Sequence, residues 1–276
     1  MFASKVNLEN AIGFVERWGE PHETARLRQL LFGEPPSSSA IEGLLAAQRE
    51  DGGWAAFWAK DYSSLDATCF RLSRAEALGV GPEYEAVESA LRFIENRQSP
   101  SGSWEEDKAY TGDAPPWAKP GNLKARLYLT ANCGYWVAFF QRKSSGESQS
   151  QYSGIYKAAD YLEDYLSENG RLPSYLHAHW LAGGLWVLLA RSEPAGKVFG
   201  YLFQRVDKMA PSDLAWLLTV ISLAGVSVDE ALILQATGRL SGLQQEDGRW
   251  RSEDDPNRDV RATLDSLRAL SLVGQI

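Results

Sequence analysis

Three copies of one seven-residue pattern constrain this chain more than any other feature. Residues 48–54 read Gln48-Arg-Glu-Asp-Gly52-Gly-Trp54, residues 98–104 read Gln98-Ser-Pro-Ser-Gly102-Ser-Trp104, and residues 244–250 read Gln244-Gln-Glu-Asp-Gly248-Arg-Trp250. Gly always follows Gln by four residues and Trp by six. Each copy comes after an apolar helical run: 41–47, 90–94 and 231–234. An internal repeat sets an architecture, because each copy marks one supersecondary unit. Here a helix ends, Gly turns the chain with positive φ, and Trp folds back with a large apolar face and one N–H donor. The Gln amide can bond the loose carbonyls of that helix end or the start of an adjacent helix. The element reads as a clasp between helix pairs.

Hydrophobic periodicity places helices on both sides of every copy. The expected pairs are 6–18 with 23–32, 38–48 with 66–79, 83–97 with 122–142, 155–166 with 176–190, 195–206 with 211–224, and 229–243 with 259–273. No stretch alternates as a strand would. In the later pairs the second helix is the more apolar, as an inner ring requires. Six such hairpins predict an all-α chain forming a single (α/α)6 barrel, one domain over 1–276. Two segments are expected to be loops: 99–121, with four Pro, and the Ser/Gln-rich Lys143–Ser153. Long loops in compact domains are often functional.

The net charge of −8 and pI near 5.1 argue against a general nucleic-acid binder. Cys69 and Cys133 are the only cysteines, too few for a disulfide scaffold. The first ten residues lack the apolar core of a signal peptide, and no run approaches the roughly 20 apolar residues that cross a bilayer. The expected location is the cytoplasm, with peripheral membrane contact open.

The Gln-x-x-x-Gly-x-Trp copies between outer and inner helices resemble the QW repeats of the squalene–hopene and terpene cyclase superfamily. Protein prenyltransferase β subunits share that barrel. The likeness runs from about residue 38 to the C-terminus. Leu65-Asp66-Ala-Thr68 and Val260-Arg261-Ala-Thr263 resemble the family's Asp-x-Thr-like openings of inner helices. The resemblance implies an enzyme whose carboxylic acid protonates an alkene or epoxide, with aromatic faces stabilising the carbocation. This chain departs from the family's Asp-x-Asp-Asp motif. Its nearest equivalent, Ser63-Ser64-Leu65-Asp66, keeps only the last acid, and Glu253-Asp254-Asp255 falls in a loop. Prenyltransferases of the family hold a zinc ion through Asp, Cys and His, and their Asp-x-Cys is missing here, although Asp66 precedes Cys69. No metal or cofactor is expected, save Mg2+ if the substrate is a diphosphate. Members normally carry a second barrel or partner, so a homodimer or second subunit is also expected.

Candidate site residues cluster at the predicted starts of inner helices. Asp66 and Asp265 are the candidate acids. Asp66 can instead cap its helix, and Asp265 can instead pair with Arg261 or Arg268. Lys124, Arg126, Arg258 and Arg261 are candidates to hold an anionic head group. Tyr128, His177 and the aromatics Trp54, Phe70, Trp180 and Trp216 are candidates to line an apolar cavity. His177 and His179 cannot share one helical face, so a metal pair is not expected. The leading reading is a terpenoid-cyclase-like enzyme acting on an isoprenoid or other long apolar chain with an anionic head. The alternatives are a non-catalytic isoprenoid-binding or interaction module and, third, a carbohydrate-active α/α-barrel lyase.

Overall fold

The computed structural model describes residues 6–143 and 152–276. Most of the loop expected at Lys143–Ser153 lies outside them. Twelve α-helices are present among the described residues: α1 (Leu8–Trp18), α2 (Pro21–Phe32), α3 (Ser38–Leu45), α4 (Leu65–Ala77), α5 (Glu85–Glu95), α6 (Leu123–Lys143), α7 (Gly154–Glu163), α8 (Leu176–Leu188), α9 (Ser192–Phe203), α10 (Pro211–Ala224), α11 (Ala231–Gly242) and α12 (Asp259–Leu272). They are the twelve that the periodicity predicts. Helix α3 stops short of Gln48, where Ala47 takes a left-handed φ of 62°.

One element was not anticipated. Strands β1 (Trp54–Ala56) and β2 (Ala59–Ser64) form an antiparallel pair with Trp54 opposite Ser64. Strands this short carry too few residues for a period of two to stand out.

The chain divides into two compact units, Ser38–Val198 and Met1–Ser37 with Phe199–Ile276. In the first, α6 packs between α4 and α8, while α3, α5 and α7 lie against them. In the second, α12 is central and touches α1, α2 and α10. The inner helices are the buried ones: α6 buries an unbroken run from Leu127 to Phe140.

All three clasps have the same geometry. The Gln Nε2 donates to the carbonyl of the Gly in its own copy, at 2.8, 2.8 and 2.9 Å. It also donates to a carbonyl at the start of another helix: Ala86 of α5, Gly154 of α7, and Asn7 ahead of α1. Each Gly has φ near 90°. A Cβ there would lie 2.2–2.5 Å from backbone of the helix it faces: Ser89, Lys157 or Asn10. The Trp indole donates back to the preceding helix, to Ala46, Ile94 and Leu240. Its backbone N–H donates to a threonine on the following inner helix, Thr68, Thr130 or Thr263.

A fourth clasp exists without its signature residues. Leu166-Ser-Glu-Asn-Gly170-Arg-Leu172 keeps the glycine, with φ of 77°, and a Cβ on it would sit 2.0 Å from the Lys197 carbonyl of α9. Leu172 stands where Trp stands elsewhere, and its N–H donates to His179 Nε2 at 3.0 Å. His179 therefore fills the threonine position. Its accepting Nε2 puts the ring proton on Nδ1, which faces the Tyr175 carbonyl at 3.1 Å.

Gly102→Ala should lose roughly 2 kcal/mol or more through strained φ and collision with Lys157. Gly13→Ala, in an exposed helical position with open space around it, should gain up to roughly 1 kcal/mol. Thermal unfolding of the two variants should move in opposite directions. His179→Ala should cost roughly 1–3 kcal/mol by leaving the Leu172 N–H unpaired, whereas an exposed-site control such as His22→Ala should change little.

Candidate functional site

The start of α4 is set by a carboxylate from a distant loop. Glu106 is 2% exposed and accepts four hydrogen bonds: Tyr62 Oη at 2.8 Å, Ser64 Oγ at 2.6 Å, Leu65 N at 3.1 Å and Asp66 N at 3.2 Å. Two of these donors are the loose amides of the helix N-terminus, where a negative charge is favoured. Burial pushes the Glu106 carboxyl up from its ordinary range, and the four donors oppose that rise. Ser64 completes the cap through the Ala67 N–H.

This capping leaves the Asp66 side chain available for other contacts. Its Oδ1 accepts from Tyr128 Oη at 2.8 Å, and its Oδ2 accepts from Trp117 Nε1 at 3.1 Å. Burial raises the Asp66 pKa, while the two donors and the nearby His177 pull it down. Rings enclose the carboxyl. Tyr128 lies edge-on to Tyr175 and to His177, each at 6.4 Å, and His177 stands perpendicular to Trp180 at 5.0 Å. Trp117 is 38% exposed and tilted against Phe57, which is 78% exposed at the tip of the β1–β2 hairpin. The Cys69 and Cys133 thiols face each other at 3.7 Å on the same two helices, α4 and α6.

One register rule accounts for this cluster. Asp66, Tyr128 and His177 each lie two residues before the clasp acceptor of their helix: Thr68, Thr130 and His179. On α4, α6 and α8 these equivalent positions converge on one spot. Arg261 holds the same position before Thr263 on α12.

The other sequence candidates have different surroundings. Trp54 is buried in its clasp. Phe70 is partly exposed beneath Arg74. Arg126 pairs with Glu105 at 2.6 Å, and Lys124 is exposed at the start of α6. In the second unit, Arg258 pairs with Asp254 at 2.9 Å. Asp265 meets Arg26 at 2.6 Å and Arg261 at 3.7 Å. Trp216 is half-buried on α10. Among the described residues, no group of three or more His, Cys, Asp or Glu is placed to hold a metal ion, and no helix is long and apolar enough to cross a membrane. Sequence reasoning missed Glu106, Trp117 and Asn132. The first two sit in the Pro-rich loop 99–121, whose only signal was its length.

The fold is shared with solved type II terpene cyclases. A substrate-bound variant of MstE from Scytonema, in complex with geranylgeranyl dihydroxybenzoate, superposes with a TM-score of 0.59 at 15% identity, covering 98% of this chain and 97% of that one. MstE without ligand gives 0.56 at 14% identity, with 98% and 97% covered. A protein from Actinoplanes gives 0.62 at 17% identity, with 97% and 98% covered. No family model matches the sequence, and no curated protein matches it either. The similarity covers nearly the whole chain, for which the helix pairs predict an all-α fold.

The Asp66 environment makes a pH prediction. Its folded pKa lies above its unfolded one, so the folded state keeps a proton that the unfolded chain has released. Stability then falls as pH climbs from the ordinary carboxyl value to the raised one. Asp66→Asn cannot titrate. The difference in melting temperature between variant and wild type should therefore shift in favour of the variant as pH rises through that window, and stay flat below it.

Proposed function

We propose that this chain is a terpenoid-cyclase-like enzyme that protonates an isoprenoid or similar long apolar substrate, with Asp66 as the acid. The observation that carries this reading is the Asp66 carboxyl itself. It is half-buried at an inner-helix start, its pKa is raised by burial, and it is ringed by Trp117, Tyr128 and His177. A raised pKa keeps a carboxyl protonated nearer neutrality, as a general acid requires. In the step, the Asp66 proton passes to an alkene carbon or an epoxide oxygen. With an alkene, the π pair forms the new C–H bond and leaves a carbocation. With an epoxide, the oxygen lone pair takes the proton and a ring C–O bond breaks with its electron pair going to that oxygen, leaving an alcohol and a carbocation. In both cases Asp66 is left as a carboxylate. The rings of Tyr128 and Trp117 beside the carboxyl suit that cation, and exposed Phe57 and Trp117 suit the entry of an apolar chain.

Asp265 is the weaker acid candidate, because two guanidinium groups favour its charged form. Lys124 is the candidate for the anionic head, since it is exposed at the start of α6, the helix that carries the acid's partner Tyr128. Mg2+ would join it only on a diphosphate. The fold likeness to MstE supports the reading at the level of architecture, and MstE's prenylated aromatic substrate indicates the class to try first. A non-catalytic binding module is the second reading, favoured by Ser63 and Leu65 at the positions of the family's first acids.

Incubation with linear isoprenoids, prenylated aromatic acids and diphosphates, with and without Mg2+, tests this by chromatography and mass spectrometry. A cyclised isomer is expected. Asp66→Asn should lower its formation by roughly 100-fold or more, with Asp265→Asn largely active. Tight binding without conversion would replace the enzyme reading with the binding module.

A further inference from the structure

Behind Asp66, the side chain of Asn132 is 3% exposed, and its carbonyl oxygen has no hydrogen-bond partner among the described residues. An unpaired buried acceptor calls for an explanation. The Asn132 amide nitrogen faces Tyr128 Oη at 3.4 Å, and Tyr128 Oη donates to Asp66 Oδ1 at 2.8 Å. A phenol has one hydrogen. While Asp66 is a carboxylate, that hydrogen is committed to it, and the asparagine can offer only its N–H to the phenol oxygen.

We infer that Tyr128 and Asn132 form a reversible hydrogen-bond relay whose direction follows the protonation state of Asp66. When Asp66 is neutral with its proton on Oδ1, the acid O–H donates to the Tyr128 oxygen. The phenol hydrogen then turns to Asn132, whose amide rotates by half a turn to present its carbonyl. Only rotations occur, and no covalent bond is exchanged beyond the one proton that Asp66 binds. In the neutral state the Asn132 oxygen thereby gains the phenol hydrogen as its partner. Trp117 Nε1, a donor only, holds Oδ2 and so favours Oδ1 as the proton's site.

The other groups facing this chain are His177 from α8, the Cys69 and Cys133 thiols beside Tyr128, and Glu106 beneath the helix start. None of them offers the Asn132 carbonyl a hydrogen among the bonds described. Tyr128 and Asn132 are thus positioning residues for the acid. The inference rests on the reading of Asp66 as proton donor for its purpose, but its test does not use turnover.

The experiment is an infrared titration of protein labelled with 13C at aspartate carboxyls, with Asp66→Asn subtracted to isolate the Asp66 band. Tyr128→Phe removes a charge-assisted bond to the carboxylate and should raise the midpoint. Asn132→Leu removes the acceptor that serves the neutral form and should lower the midpoint by about one pH unit. If Asn132 acts only as a donor to the phenol, its loss weakens the hold on the carboxylate and raises the midpoint. A rise or an unchanged midpoint overturns the relay. Should Asn132→Leu not fold, the wild-type protein suffices: the Asn132 Cγ resonance should move with the Asp66 midpoint, and a static resonance overturns the proposal. A failed cyclase assay would leave these titrations unaffected, so the two failures are distinguishable.

Discussion

A glycine pressed against the backbone of another helix is the contact on which the rest of this chain depends. At Gly52, Gly102, Gly170 and Gly248 the left-handed turn brings loop and helix closer than any Cβ permits. That approach puts the glutamine amide within reach of two carbonyls at once in three of the four copies. It also carries the next backbone amide onto the inner helix, where threonine or histidine receives it. Each clasp therefore fixes three elements against one another through groups that would be costly to bury unpaired.

The candidate site inherits its order from these clasps. Because each inner helix is pinned at its acceptor, the residue two positions earlier is pinned too. Asp66, Tyr128 and His177 thereby meet without any local motif that names them as a set. Glu106 adds what the pinning lacks. By taking the α4 amides itself, it relieves Asp66 of the capping role that its position would otherwise invite. This carboxylate reaches the start of α4 from 40 residues downstream.

Much of the fold was legible because helix periodicity and glycine spacing are local signals. The helix pairs and the three clasps could be read from residues alone. The hairpin at 54–64 could not, since its strands are too short, and neither could the fourth clasp, which has Leu166 and Leu172 where the others have Gln and Trp. At the site, Asp66, Tyr128 and His177 stood out as polar residues opening apolar helices. Glu106 and Trp117 did not, because a Pro-rich loop has no period from which to infer direction. Asn132 was hidden for the opposite reason: it sits mid-helix in an apolar run, and its significance lies in an oxygen left without a donor.

The third clasp ties Gln244 and Glu246 to Asn7 and Asn10, near the opposite end of the chain. Helices α1 and α2 belong to the same compact unit as α10 to α12. During synthesis they leave the ribosome long before the helices that shelter them exist. The unit formed by Ser38–Val198 is continuous in sequence and can assemble as it emerges. The N-terminal pair must wait, its apolar faces open, until the last clasp is made. Its closure on the last clasp spans 237 residues, which makes the docking of α1 a natural late event of folding.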